Sequence, residues 1–234
     1  MLAWIDEKLA EHYRLVRVLK KTEKSEILHL RHISLEKDIV KRVQTGNAEV
    51  YDVLRRFSHP NIPKVYEVVT HGSDTIILEE FIHGTTVSQE LQGKLFSEKD
   101  TRSIVRSLCS TLSAIHALGI IHRDIKPEHV IIGDDGVVTL IDYDTARFYK
   151  PYKTADTHIT GTTGYAAPEQ FGLTQSDERT DIFSLGILMN VMLTGTHPSK
   201  KLYDGKLSRV IEKCTQIDPN KRYAGATALA KELK

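Results

Sequence analysis

Apolar residues change their rhythm once along the chain. Between Tyr13 and Val43 they come in short runs (13–19, 26–30 and 38–43) cut by polar clusters, the pattern of consecutive antiparallel strands. Over 46–57 the apolar positions Val50, Val53, Leu54 and Phe57 take helical spacing, and the run stops at the turn signal Ser58-His59-Pro60-Asn61. Two more strands are predicted over 64–70 and 75–82, joined by the hairpin-length His71-Gly72-Ser73-Asp74. Beyond Gly84 the period becomes helical: 97–119 repeats through Ile104, Leu108, Leu112, Ile115 and Leu118, and 177–194 and 222–233 follow suit. Two short strands, His129–Gly133 and Val137–Ile141, flank Asp134-Asp135-Gly136. The expectation is an α+β chain with a mainly β part over 1–82, a hinge at 83–85 and a mainly α part over 86–234, free of internal repeats and low-complexity tracts.

Composition narrows the classes. The 234 residues hold 32 Lys and Arg against 31 Asp and Glu, a net charge of +1. No global field favours nucleic acid or an anionic membrane surface. With 40% hydrophobic and 27% charged residues the chain is of ordinary globular composition, neither disordered nor fibrous. Cys109 and Cys214 are too few for a disulfide framework and form no C-x-x-C pair, so buried thiols and a cytoplasmic location are expected. The start carries acids where a secretory leader would be apolar, and the longest apolar stretch, Ile182 to Leu193, is too short and too interrupted for a membrane span.

The chemistry gathers in His122-Arg123-Asp124-Ile125-Lys126-Pro127-Glu128-His129, with Leu140-Ile141-Asp142-Tyr143-Asp144 following in sequence. These segments resemble the catalytic loop and the D-F-G metal motif of serine/threonine protein kinases. Gly161-Thr162-Thr163-Gly164-Tyr165-Ala166-Ala167-Pro168-Glu169 is similar to that family's G-T-x-x-Y-x-A-P-E, and Asp181-Ile182-Phe183-Ser184-Leu185-Gly186 to its D-x-x-S-L-G helix, all in family order. The resemblance covers most of residues 13–234 and implies the bilobal kinase fold as a single domain over 1–234.

The residue chemistry supports it independently. Phosphoryl transfer needs a metal ligand, a cation at the phosphates and a carboxylate at the acceptor hydroxyl. Asp124 is the candidate for the hydroxyl, Lys126 for charge at the transferring group, and Asp142 for Mg2+ through hard carboxylate oxygen. By resemblance, Lys41 is the V-A-I-K lysine on the α- and β-phosphates and Glu49 its partner, although Glu49 lies one residue out of register and Val50 holds the expected place. Glu80 to Ile82 match the segment whose main chain holds adenine. Asp181 is expected to anchor the catalytic loop, and Glu169 to pair with Arg222 in the final helix.

Three departures stand against the family pattern. The glycine-rich loop is replaced by Lys20, Thr22, Ser25 and Ile27, which weakens a backbone phosphate cradle, although Lys20, Lys21 and Lys24 offer side-chain cations. A solvated, lysine-rich turn is the favoured alternative there. The second metal-binding Asn is His129, whose imidazole suits transition metals such as Mn2+ better than magnesium, and the D-F-G glycine is Asp144. If the segment is extended, Asp142 and Asp144 share a side and Asp144 can replace the missing ligand. Between the helix ending near Thr194 and the next at about Lys206, little chain is left for peptide docking.

The leading expectation is an ATP-dependent kinase acting on protein hydroxyls, itself included, at Thr154, Thr157, Thr160, Thr162 or Thr163, with Arg123 available to a phosphothreonine and Thr162 bonding to the catalytic loop. A pseudokinase that binds nucleotide or partners without efficient turnover is the alternative. A small-molecule phosphotransferase would lack Ala167-Pro168-Glu169. No basic and aromatic interleaving points to nucleic acid.

Overall fold

A computed structural model describes residues 2–23, 25–150, 162–172 and 175–234, with side chains from Glu7 onward. The chain forms two compact units, one of residues up to Ser58 with Pro63–Ile82, the other of His59–Ile62 with His83–Lys234.

In the first unit, α1 (Leu2–His12) leads into β1 (Tyr13–Lys21), β2 (Ser25–His32) and β3 (Asp38–Thr45); α2 (Ala48–Arg55) follows, then β4 (Val65–His71) and β5 (Asp74–Glu80). The pattern of apolar positions placed no helix before Tyr13, and α1 is an addition to it. All neighbouring strands are antiparallel in the order β1-β2-β3-β5-β4. The central strands carry the buried residues Ile39, Val40, Ile76 and Ile77, and α2 buries Val50, Tyr51 and Leu54. Arg42 and Glu79, on neighbouring central strands, form a salt bridge with both side chains about nineteen-twentieths buried, the condition under which a charge pair is tolerated inside. At the edge, β1 is different: Leu15, Val16, Val18 and Leu19 are exposed, alternating with exposed Arg14, Arg17, Lys20 and Lys21. Two bulges interrupt its pairing with β2.

Without the family's glycines the β1–β2 connection closes as a tight turn. The Thr22 amide donates to the Ser25 carbonyl at 2.8 Å, and the Ser25 amide donates to Thr22 Oγ1 at 3.1 Å. Lys21 pairs with Glu26 at 2.7 Å. Lys24 lies outside the described residues.

The second unit contains β6 (Gly84–Thr86), α3 (Val87–Leu91), α4 (Glu98–Ala117), β7 (Ile120–Ile121), β8 (Val130–Gly133), β9 (Val138–Leu140), β10 (Arg147–Phe148), α5 (Glu178–Thr194), α6 (Ser208–Cys214) and α7 (Ala226–Glu232). Small antiparallel sheets β6-β8-β9 and β7-β10 flank the catalytic segments. Helix α4 starts at Ser97, whose side chain accepts from the Asp100 amide, and buries the stripe Ile104, Val105, Leu108, Leu112 and Ile115. Helix α5 is buried nearly all round, as its apolar sequence requires, and ends at Gly195 with φ 71°. Among the described residues no helix lies between α5 and α6; buried Asn190 ties that segment, donating to the carbonyls of Thr196 (2.8 Å) and Lys201 (2.9 Å) and accepting from the Tyr203 amide (2.9 Å).

The final helix is shorter than the 222–233 expected from periodicity. It begins at Ala226, because Asp218-Pro219 starts a separate 3-10 turn over Pro219–Lys221 and extended Gly225 intervenes. Arg222 is therefore not helical.

Gly186 of α5 packs closely against the end of α6. A Cβ there would stand 2.5 Å from Cys214 Cβ and 2.8 Å from Thr215 Cγ2, too close for any side chain. Gly186→Ala is expected to lower stability by about 1–3 kcal/mol through overpacking, read as a fall in melting temperature. A melt unchanged from the parent would show that the helices part freely.

Candidate active site

Asp181, near the start of α5, is completely buried and accepts three hydrogen bonds. Its Oδ2 receives the His122 amide at 2.9 Å and His116 Nε2 at 2.8 Å, and its Oδ1 the Arg123 amide at 2.8 Å. Burial alone would push its carboxyl up; the His116 hydrogen bond, the charges of His116 and His122 and the Arg123 amide hold it below the ordinary value instead. That acceptor fixes two successive amides and holds Arg123 at φ 70°, a region that residues with side chains rarely occupy. The Arg123 carbonyl is in turn held by Gln170 Nε2 at 2.8 Å. Burial lowers the Arg123 guanidinium to about 10, against the opposing effect of Asp181, and Arg147 is lowered to about 10 by burial and then by the charge of Arg123.

The turn at Arg123 presents Asp124. Its Oδ2 accepts from Lys126 Nζ at 2.8 Å, and its Oδ1 accepts from the Thr162 hydroxyl at 2.7 Å and the Thr162 amide at 3.2 Å. Lys126 Nζ also donates to Thr162 Oγ1 at 2.7 Å. Burial raises the Asp124 carboxyl, but His129, Lys126 and Thr162 outweigh it and leave the group below its usual range. His122, fully buried and lowered chiefly by burial, spans the loop: Nδ1 accepts the Asp124 amide at 3.3 Å and Nε2 donates to the Ile141 carbonyl at 3.3 Å.

Asp142 follows β9 and is, after Arg123, the second residue of the site with a left-handed backbone, φ 66°. The condition for Asp142 and Asp144 to share a side, an extended segment, is therefore not met; the Asp144 amide instead turns back toward Asp142 Oδ1 at 3.4 Å. His129 closes the cluster, with Nδ1 2.9 Å from the Asp124 carbonyl oxygen and Nε2 3.1 Å from Asp142 Oδ2. Among the described residues no three His, Cys, Asp or Glu side chains converge on one metal position.

Glu169 and Arg222 meet as a two-pronged buried pair at 2.6 and 2.9 Å, with Thr180 Oγ1 donating to Glu169 at 2.8 Å. Thr163 is exposed, and Thr154, Thr157 and Thr160 lie outside the described residues. In the first unit, Lys41 is buried on β3 opposite Leu28 and Leu78. Glu49 sits exposed in the first turn of α2, and among the described residues it enters no ion pair, so the structure does not bring it to Lys41; the one-residue offset turns buried Val50 inward instead. Glu80 ends β5, its amide donating to the Lys64 carbonyl at 2.8 Å, and Ile82 closes the unit. His116, Gln170 and Thr180 were not singled out in the sequence. Gln170 and Thr180 stand beside the motif residues Glu169 and Asp181, but only tertiary structure reveals His116 as a partner.

The protein kinase domain model matches residues 12–233. The chain belongs to the protein kinase family. Its relatives include serine/threonine-protein kinase D of Synechocystis, 30% identical over 84% of this chain and 42% of that protein, and ribosomal protein S6 kinase alpha-4 of mouse, 36% identical over 60% and 19%. A probable serine/threonine-protein kinase of Clostridium perfringens is 32% identical over 63% and 23%. The kinase chain spans half or less of the length of the curated relatives it matches. Membership brings the use of ATP and a divalent ion that is general to the domain. No described helix of this kinase is long and apolar enough to cross a membrane. The thiols of Cys109 and Cys214 are free and buried, Cys109 being pushed up to about 12 by burial.

Two outcomes follow for stability. The Asp181 carboxyl is lower in the folded chain, so its contribution is present above the unfolded carboxylate range and is lost as pH falls through the folded value. Asp181→Asn is expected to be less stable at neutral pH and to lose stability less steeply below about pH 5, measured as melting temperature against pH; equal slopes in both proteins would refute this. Arg222→Met leaves Glu169 buried without its cation and is expected to cost about 3–5 kcal/mol in denaturant unfolding, whereas a loss below about 1 kcal/mol would mean the pair is solvated.

Proposed function

We propose that residues 1–234 form a single serine/threonine protein kinase domain that transfers the ATP γ-phosphate to a protein hydroxyl, its own threonines included. The observation that carries this reading is Asp124, a buried carboxylate that already accepts a hydroxyl hydrogen bond at 2.7 Å, from Thr162, beside the Lys126 ammonium. A substrate serine or threonine hydroxyl needs the same acceptor. Held below its usual range, Asp124 is ionised at neutral pH, so it orients the hydroxyl and takes its proton as the new oxygen–phosphorus bond forms and the bond to the β-phosphate oxygen breaks. Lys126 offsets charge on the group in transfer.

Asp142 and His129 are the residues that would hold a divalent ion, and their donors, 3.1 Å apart on side chains about nine-tenths buried, suit one. When bound, the ion neutralises charge on the phosphates. By family resemblance Lys41 serves the α- and β-phosphates and the main chain at Glu80 to Ile82 the adenine. The Lys126-Pro127-Glu128 sequence favours serine and threonine over tyrosine on the same ground. Thr154, Thr157, Thr160 and Thr163 are the proposed sites of self-phosphorylation, with Arg123 as the cation for the product. Free, buried thiols suit a cytoplasmic location.

The test is transfer of labelled γ-phosphate by the purified chain to itself and to a generic basic protein, with Asp124→Ala as control. Label is expected from the parent and a fall of roughly 10²–10⁴-fold in the variant. No label from the parent, with thermal stabilisation by nucleotide retained, would replace this reading with that of a pseudokinase.

A further inference from the structure

Helix α4 has two working faces. One buries Ile104, Val105, Leu108, Leu112 and Ile115; the other carries Lys99, Arg102, Ser103, Arg106 and Ser107 at steps of three and four residues, so that they stand in line along the helix surface. That line borders a groove of about 940 Å³, which Lys206 joins from the segment between α5 and α6. The Lys206 amide donates to Glu98 Oε1 at 2.8 Å and ties that segment to the start of α4. Arg102, partly buried, is steadied by carbonyl oxygens at the end of α7 and beyond it, those of Glu232 at 3.4 Å and Lys234 at 3.3 Å from Nη1. Lys99, Arg106 and Lys206 are exposed, and among the described residues none of these three enters a salt bridge.

The lining sets the chemistry of the occupant. Glu98 is the one carboxylate among the described lining residues, against the cations of α4, Lys206 and Lys234, while the whole chain carries a net charge of only +1. Positive charge concentrated in this way favours an anionic partner. None of the described lining residues is aromatic, so a nucleic-acid strand would find no platform on which to stack its bases. An acidic peptide needs no such platform. Along the axis of α4, Arg102 and Arg106 stand about 6 Å apart, near the ~6.6 Å repeat of side chains on one face of an extended chain. From Lys99 to Ser110 the helix rises about 16 Å, the length of about five extended residues. Ser103 and Ser107, small and set between the cations, leave room for a peptide backbone to lie close.

We propose that this groove docks an extended acidic segment of the kinase's protein substrate, whose carboxylates at alternate positions answer the cations of α4 and Lys206. The inference rests on the kinase reading, which supplies the substrate. Among the described residues no helix stands between α5 and α6, and the short segment there offers little to hold a peptide; it delivers Lys206 to this groove instead. The acidic segment lies apart from the phosphorylated hydroxyl and adds affinity, not chemistry, because the groove shares no residue with the Asp124 cluster.

Binding is read first, by fluorescence anisotropy of a short labelled peptide of alternating Glu and Val with blocked ends. The parent chain is expected to bind it with an affinity that falls as salt is raised, and the double variant Lys99→Glu, Arg106→Glu to bind it about tenfold or more weakly, since two attractions become two repulsions. Lys99→Gln with Arg106→Gln repeats the measurement should the reversed variant melt early. Equal affinity in parent and variant, or tighter binding of a single-stranded RNA of the same charge, overturns the proposal. Turnover is read on a short threonine peptide with and without the acidic segment attached. In the parent the segment is expected to lower KM about tenfold at unchanged kcat, and in the double variant to change neither, with the bare peptide handled equally by both proteins. A KM in the parent that ignores the segment overturns the substrate assignment. The kinase reading fails separately: no transfer to either peptide, with binding of the acidic peptide retained, removes that reading and leaves the groove's preference standing, while transfer to both peptides at one KM without binding does the reverse.

Discussion

One buried carboxylate governs the catalytic segment. Asp181 accepts the amides of His122 and Arg123 and the His116 ring, and without it two backbone donors inside the protein would have no partner, each at a cost of about 1–3 kcal/mol. The same bonds hold Arg123 in its left-handed conformation, which on its own costs about 1–3 kcal/mol. The strain has a use: reversing the chain at Arg123 turns Asp124 toward Lys126 and Thr162.

The supports of this arrangement come from distant parts of the sequence. His116 ends α4, Asp181 begins α5, and Gln170 reaches the Arg123 carbonyl from the segment that also carries Glu169. Glu169 joins Arg222 and Thr180 in a second buried polar cluster. The buried carboxylate of each cluster accepts several hydrogen bonds, the condition under which such a group orders a structure instead of weakening it. The rigidity of the catalytic loop is thus a property of two helices and their ends.

Strand alternation and helix period made the large elements legible, because β2, β3, β5, α4 and α5 bury apolar residues at regular spacing, even where β3 and β5 also bury Lys41, Arg42 and Glu79. The early helix α1 and the start of α7 were not legible from the period: α1 precedes the first strand without a break signal, and the helical spacing over 222–233 does not show that Gly225 delays the helix to Ala226. At the site, the motif residues told which groups would gather in the second unit but not their supports. His116 sits on an ordinary helix face, and no local signal says that a carboxylate 65 residues later will need it. The one-residue offset at Glu49 was visible in the sequence; its outcome, an exposed carboxylate with buried Val50 beside it, required the geometry of α2.

The edge strand β1 carries its apolar residues into solvent among four cations, Arg14, Arg17, Lys20 and Lys21. Unpaired strand edges invite a neighbouring molecule to continue the sheet, and like charges along the rim hold such neighbours off. The chain as a whole carries a net charge of only +1, so without these four cations the remainder is net negative, 28 Lys and Arg against 31 Asp and Glu, and adds nothing to that repulsion. Colloidal stability therefore rests on a local electrostatic fence, which dissolved salt lowers as its screening length shrinks from about 10 Å at 0.1 M to about 3 Å at 1 M.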